Sequence, residues 1–444
     1  MTATTALRLD PARLMARLQG FGRIGALPGG GVCRLALSDA DRAGRDHLVA
    51  EMRALGLEVA IDRIGNIIGT RAGTQAGPPV MIGSHIDSVA TGGLYDGTLG
   101  VAAGLEIAAA LNDAGIITRR PLAIAAFTNE EGARFAPDMM GSGVHRGALD
   151  LADMLAVRGT DGASLGAELA RIGYAGPAPC PGPTPAAYLE LHIEQGPVLE
   201  REGLDIAAVT GVQGISWTEV TITGQSNHAG TTPMALRRDA GVVAARIALA
   251  ARAVADAFGP PQVATVGVLE LSPGLVNVIP ETARLTVDLR HTDAETLRRA
   301  RAQLLADAEA AASAEGCTLT TRTLADFPPV AFDPVLVARI EAAAGARGLR
   351  ARPMPSGAGH DAQMFAPNCP TAMVFVPSRG GLSHNIAEYT EPAQLAAGAH
   401  VLADVALALL EETPSPAALS SPQLSSAPLP ATSPAPRPSP AWSR

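Results

Sequence analysis

The chain has 444 residues, 47% of them hydrophobic, which excludes wholesale disorder and predicts two or three domains at ~150 residues each. A formal net charge of −9 gives no electrostatic drive toward DNA or RNA, so no nucleic-acid partner is expected. All 34 basic residues are arginine, which excludes Schiff-base, phosphate-loop and kinase-type lysine chemistry.

The N-terminal stretch spaces its arginines as a helix would but lacks an apolar signal core. No segment offers ~18 uninterrupted apolar residues, so a soluble cytoplasmic protein without a membrane partner is expected. Cys33, Cys180, Cys317 and Cys369 are scattered without a CxxC pair. They fit neither a disulfide framework nor a thiolate zinc site and read as small buried hydrophobes.

Helices are predicted over 8–18 and 38–55, the second opened by Ser38 and Asp41 as a variant capping box. Residues 57–70 alternate around Gly65-Asn66, which predicts a hairpin. Short apolar runs at 79–85, 121–131 and 186–196 each end in polar residues and read as buried strands, with a helix over 97–113. Strands alternating with helices predict an α/β sandwich with a largely parallel sheet, whose chemistry collects at strand carboxyl ends. After about residue 210 the texture changes. A half-exposed strand (GISWTEVTITG) leads to a helix over 233–258 with Pro233 near its first turn. Strands at 263–271 and 282–289, a helix at 293–314 and a strand at 317–323 complete a split βαβ order. This predicts a ferredoxin-like module inserted at 212–328. Helix 333–346, a Gly-rich loop at 356–361, strand 371–376 and helix 391–412 then return the chain to the first domain, 1–211 plus 329–412. Residues 413–444 are rich in Pro and Ser and read as a disordered tail or, less simply, a peptide-recognition segment.

Polar residues at the strand ends carry the chemistry. In GSHIDS, His85 and Asp87 share one side of an extended chain, so a metal ligand and its orienting carboxylate could be neighbours. Asp96, in the Gly-rich GGLYDGTLGV, reads either as a helix N-cap or as a carboxylate offered to metal. Glu130 and Glu131 end an apolar strand, where adjacent anions repel unless a cation is near. One could ligate while the other serves as general base. His192 in LHIEQGP and His384 in GGLSHN each close an element. Three histidines and several carboxylates on one domain, without thiolates, suit a two-metal N/O site for Zn, Mn, Co or Ni.

The ordered set GSHIDSV, GGLYDGTLGV, TNEEGARF, LHIEQGP, GQSNHAGTTPM, LVNVIP, DLRHTD, SGAGHDA and LSHN resembles the hydantoinase/carbamoylase-type amidases. These are binuclear metallo-amidases that include N-carbamoyl-L-amino acid hydrolases, β-ureidopropionases and allantoate amidohydrolases. The resemblance spans roughly residues 10–412. It implies a metallopeptidase-like α/β sandwich with an inserted ferredoxin-like lid and dimerisation domain, in a homodimer. It further implies two divalent metal ions per subunit, zinc first, with His85 and His192 on one, Glu131 and His384 on the other, and Asp96 bridging. Glu130 would be the general base and Asp87 the partner of His85. His228 would stabilise the oxyanion across a dimer interface. Gln195 would contact the substrate amide, Asn277 and Arg290 its carboxylate, and Gly359 and His360 would line the pocket. Plain structural readings stand beside three of these: Arg290 as a salt-bridge partner of Asp288 or Asp293, His228 as a surface-loop histidine, and His360 with Asp361 as a loop lock. The paired Arg237 and Arg238 read as a solvated or interface face. The activity implied is hydrolysis of the carbamoyl C–N bond of a small N-carbamoyl-L-amino acid, giving amino acid, CO2 and ammonia. Allantoate, β-ureidopropionate and, less simply, acyl-amino acid substrates are the alternatives.

Overall fold

The computed structural model describes residues 7–413; residues 414–444, nearly all of the stretch read as a tail, lie outside the described residues. The chain divides at Gly211/Val212 and at Val330/Ala331 into two compact units, each with its own sheet. In chain order the first unit holds β1 (Glu58–Ile61), β2 (Ile67–Arg71), β3 (Val80–His85), β4 (Leu122–Phe127), β5 (Ala187–Ile193) and β6 (Ile206–Val212). The second holds β7 (Gly214–Thr223), β8 (Val263–Ser272), β9 (Thr282–His291) and β10 (Thr318–Phe327), and the first resumes with β11 (Val330–Ala331), β12 (Ala351–Ser356) and β13 (Thr371–Val376).

The first sheet runs β1-β2-β4-β3-β5-β13-β6-β11, with β12 also paired to β6. Its centre, β4-β3-β5-β13, is parallel, whereas β1-β2, β2-β4 and β13-β6 are antiparallel. Every residue of β3, β4, β5 and β13 is buried, as expected of strands covered on both faces. The parallel register sets His85 beside Phe127 and His192 beside Phe375. The residues that follow β3, β4, β5 and β13 therefore emerge at one rim. Helix Thr98–Asp113 packs on β3 and β5 and is buried along most of its length. Helix Pro392–Glu411 is long and apolar enough to cross a membrane, but 61% of its apolar window is buried against this unit, including β5 and β13, which marks a core helix.

The second sheet runs β10-β7-β9-β8, all antiparallel. Strands β7 and β9 alternate buried positions with partly buried or exposed ones. Their buried face (Val220, Ile222, Leu285, Val287) packs on Val243, Ile247, Leu297 and Leu304 of helices Ala240–Phe258 and Ala294–Ala314. The β-α-β-β-α-β order with this strand sequence is the ferredoxin-like topology.

Local chemistry moved several boundaries. The helix read from residue 233 begins at Ala240, because Asp239 caps it by accepting from the N–H groups of Gly241 and Val242; Pro233 instead leads a 3-10 turn, Met234–Leu236. Ser38 caps its helix through the Asp41 N–H, but Asp41 turns to the Leu37 N–H and the Arg45 guanidinium and leaves the box open. Strand β12 went unread because its two prolines argue against a strand. The four cysteines are free thiols and only half-buried, so the expectation of buried hydrophobes needs correcting.

Candidate metal centre

His85 is the last residue of β3 and His192 lies one residue before the end of β5. The His85 Nδ1–H donates to the Asp87 carbonyl (3.0 Å) and the His192 Nδ1–H to the Ile193 carbonyl (2.9 Å). These bonds turn both Nε2 lone pairs inward, the tautomer a metal ligand needs. The orienting group of His85 is thus the Asp87 carbonyl. The Asp87 carboxylate lies 3.9 Å from Nδ1, too far for a hydrogen bond. It accepts instead from the N–H groups of Glu130 (3.2 Å) and Glu131 (3.3 Å), fixing the turn that carries both glutamates.

Asp96 resolves its two readings. The cap position of helix Thr98–Asp113 falls on Gly97 and no side chain caps it. Asp96 Oδ1 lies 3.6 Å from His85 Nε2 and 3.2 Å from His192 Nε2, while Oδ2 lies 3.3 Å from His384 Nε2. His384 Nε2 is also 3.2 Å from Glu131 Oε2. Two donor groups share Asp96, namely His85/Asp96/His192 and Asp96/Glu131/His384, each with ligand atoms within 4.8 Å of one another; a third, Glu190/His192/His360, shares His192. Ligands ~2.05 Å from a tetrahedral zinc would sit about 3.3 Å apart. The observed spacings match that geometry, so the donors fit divalent cations. Gly97 is required here: at φ +62°, a Cβ would lie 2.4 Å from the His85 ring.

Glu130 Oε2 is 3.3 Å from His85 Nε2 and belongs to neither donor group. Burial lifts its pKa well above the usual carboxylate range, with Asp361, Glu131 and Asp87 adding and His85 opposing. Burial would also raise Asp96, but the His192, His384 and His85 contacts outweigh it and hold this carboxyl well below the usual range. His384 is pushed up to about 10 by Asp96 and Glu131. Burial opposes charge on His85, yet Glu130 and Asp96 outweigh it and raise its pKa well above the ordinary value. A cluster that draws protons onto its imidazoles this strongly is a cluster that attracts cations. Of the five non-glycine residues with left-handed backbone among the described residues, Asn129, Met139, Gln195 and His384 lie in or beside this cleft, where strain is concentrated.

The cleft is lined by the six residues above together with Asp138, Gln195, Ala358, Gly359 and His360. Gln195 Nε2 donates to Asp96 Oδ2 (3.0 Å), while its buried Oε1 has no hydrogen-bond partner among the described residues. A Cβ at Gly359 would press on Met139 Cε at 3.0 Å. His360 is buried edge-on to His192, and its Nε2 pairs with Ser356 Oγ (2.8 Å), so Ser356 and not Asp361 locks this loop.

Residues 81–408 match the peptidase family M20/M25/M40. The chain belongs to this family. It is 42% identical to the N-carbamoyl-L-amino-acid amidohydrolase of Rhizobium meliloti over 396 residues, 89% of this chain and 95% of that protein. It is 39% identical to the allantoate amidohydrolase of Escherichia coli over 383 residues, 85% and 93% of the two chains. The crystal structure of a hydantoinase/carbamoylase family amidase from Burkholderia multivorans superposes with a TM-score of 0.89 at 44% identity, covering 91% and 99%. As an M20 family member, the chain is a metal-binding amidohydrolase acting on a small molecule.

His228, Asn277 and Arg290 lie in the second unit of this M20 enzyme. His228 Nδ1 accepts from the N–H groups of Gly230 (3.1 Å) and Thr231 (3.2 Å), which leaves the ring proton on Nε2. The Ala229 N–H bonds the Asn277 carbonyl (2.9 Å), joining the two loops. Arg237, read as a solvated or interface residue, instead donates to the Ala229 and Thr232 carbonyls and braces the His228 loop. Arg290 holds Asp288 (2.8 Å), as its structural reading expected. Outside the centre, His47 pairs with Glu51, His145 lies 3.5 Å from Asp62, His291 Nδ1 accepts from the Asp293 N–H (2.9 Å), and His400 donates to the Ala396 carbonyl.

Sequence reasoning missed Arg34, Ser383, Glu388 and Asp138. Arg34 is fully buried and donates to the carbonyls of Ile86, Phe21 and Ile24, bracing the residue between His85 and Asp87. Ser383 and Glu388 flank Asp96. Only the proximity of Ser383 and Glu388 to His384 in sequence could have flagged them; Arg34 gave no signal.

Proposed function

We propose that this M20 amidohydrolase cleaves the carbamoyl C–N bond of an N-carbamoyl-L-amino acid. The observation that carries this reading is Asp96 between two donor groups with Glu130 at their rim. Two divalent cations, one on His85/Asp96/His192 and one on Asp96/Glu131/His384, would supply Lewis acidity and an activated water. Zinc suits the donors best, with Mn, Co or Ni also compatible. Glu130 takes the proton of the attacking water and returns it to the leaving nitrogen. The ureido carbonyl gains a C–O bond and loses its C–N bond, and the carbamate formed breaks down to CO2 and ammonia. Gln195 Oε1, without a partner among the described residues, is an acceptor that the terminal NH2 of a ureido group would satisfy, a donor that a simple acyl group lacks. His228, as an Nε2–H donor, stabilises the oxyanion from the second unit of a partner subunit. Asn277 and Arg290 take the substrate carboxylate, with Asp288 orienting the guanidinium. Gly359 and His360 shape the pocket floor.

The homodimer forms through the second unit in this reading. Its sheet ends on β8, an edge strand that exposes Val263, Leu269 and Leu271 beside Leu275 and Val276. Such an edge pairs readily with a second copy.

Ammonia release from metal-loaded enzyme tests the substrate class. We expect N-carbamoyl-L-methionine to outrun its D-enantiomer, N-carbamoyl-β-alanine and allantoate, with N-acetyl-L-methionine releasing little acetate. Turnover of allantoate alone would shift the reading to allantoate amidohydrolase, which the Escherichia coli relative supports. Silence on every carbamoyl compound with metal bound would overturn it.

A further inference from the structure

We infer that Glu388 is a positioning residue that ties the Asp96 loop to the His384 segment and so assembles the Asp96/Glu131/His384 donor group. Asp96 and His384 are far apart in sequence, and no strand pairing joins their loops. Glu388 joins them. Its side chain is buried, 5% exposed. Oε1 accepts from the N–H groups of Tyr95 (3.0 Å) and Asp96 (3.2 Å), and Oε2 meets Ser383 Oγ at 3.1 Å. Ser383 Oγ is also 3.1 Å from Asp96 Oδ2, the oxygen facing His384. One carboxylate therefore holds the backbone of one ligand loop and, through a hydroxyl, the side chain that both loops share.

The neighbouring loop is built around this contact. A Cβ at Gly93 would fall 2.0 Å from the Glu388 carboxyl carbon and its Oε1. Only glycine leaves room for the carboxylate under the loop. Deleting the acceptor leaves two N–H groups buried without partners, so the loop should detach.

The inference rests on the two-metal reading, and its test reads backbone protection and metal affinity, not turnover. Hydrogen exchange and Zn(II) affinity would be compared for wild type, Glu388→Ala, Glu388→Gln and Gly93→Ala. A glutamine still accepts from both N–H groups and faces Ser383, so Glu388→Gln should stay near wild type. In Glu388→Ala and Gly93→Ala we expect the Tyr95 and Asp96 amides and the 383–388 segment to exchange at least tenfold faster. We also expect Zn(II) to bind at least tenfold more weakly, with a folded far-UV spectrum retained. Unchanged exchange in both variants would overturn the inference. So would faster exchange with unchanged metal affinity, or a glutamine variant as impaired as the alanine. A wild-type enzyme that binds metal yet ignores carbamoyl substrates would remove the substrate reading and leave this result standing.

Discussion

Glu130→Gln should keep its metal content and fold while kcat falls on the order of 10³-fold, within the range general acid–base groups contribute. That loss corresponds to about 4 kcal/mol of barrier. Glutamine fills the same volume, and the Asp87 carboxylate still holds the main-chain N–H at position 130. Only the capacity to take up a proton is lost. Glu130 is absent from both donor groups, so metal affinity should change little. KM should also change little, because the group acts on the proton in flight and not on bound substrate. Burial raises the Glu130 pKa, and the base must be ionised to act. Wild-type kcat should therefore fall as pH drops through that pKa, and the variant should lack this limb. Near-normal turnover with full metal occupancy would remove Glu130 from the role.

Asp96→Ala should remove most of the bound metal and reduce turnover to background. Each donor group loses a member, leaving His85 with His192 on one side and Glu131 with His384 on the other. Two protein donors hold a divalent ion far more weakly than three. The fold should persist, because Asp96 does not cap the helix that follows it. Elemental analysis with a thermal melt checks both parts. Retention of two metal equivalents would show that Asp96 does not bridge.

Much of the rim was legible because parallel buried strands announce themselves as apolar runs ending in polar residues. That pattern located His85, the Glu130-Glu131 pair and His192 from residue order alone, and the sheet gathers them at one edge. His384 was read from its place beside Ser and Gly at an element end, as one of three histidines in the set, although it lies on a loop with left-handed backbone and not at a strand end. Asp87 was found for the wrong atom. Alternation placed its side chain beside His85, but the strand has ended there, and its carbonyl turns to the imidazole. Arg34 could not be read, since its partners are main-chain carbonyls, and Glu388, which holds main-chain N–H groups of a distant loop, offered only its nearness to His384 as a signal. A residue type that serves any carbonyl or N–H leaves no spacing to find. The capping aspartate that starts a helix at Ala240 was legible in principle, but Pro233 offered a competing start six residues before it. Arg290 shows the converse: a strand arginine among apolar neighbours called for an anion, and its own Asp288 supplied one.

One titration tests the two-metal reading of the Asp96 centre most directly. Metal-free enzyme is given Zn(II) or Mn(II) in steps, and ammonia release from N-carbamoyl-L-methionine is followed beside bound metal. The expected result is no release without metal, and activity that rises as the two donor groups fill and levels off when both are occupied. Ammonia released by metal-free enzyme at the loaded rate would contradict it.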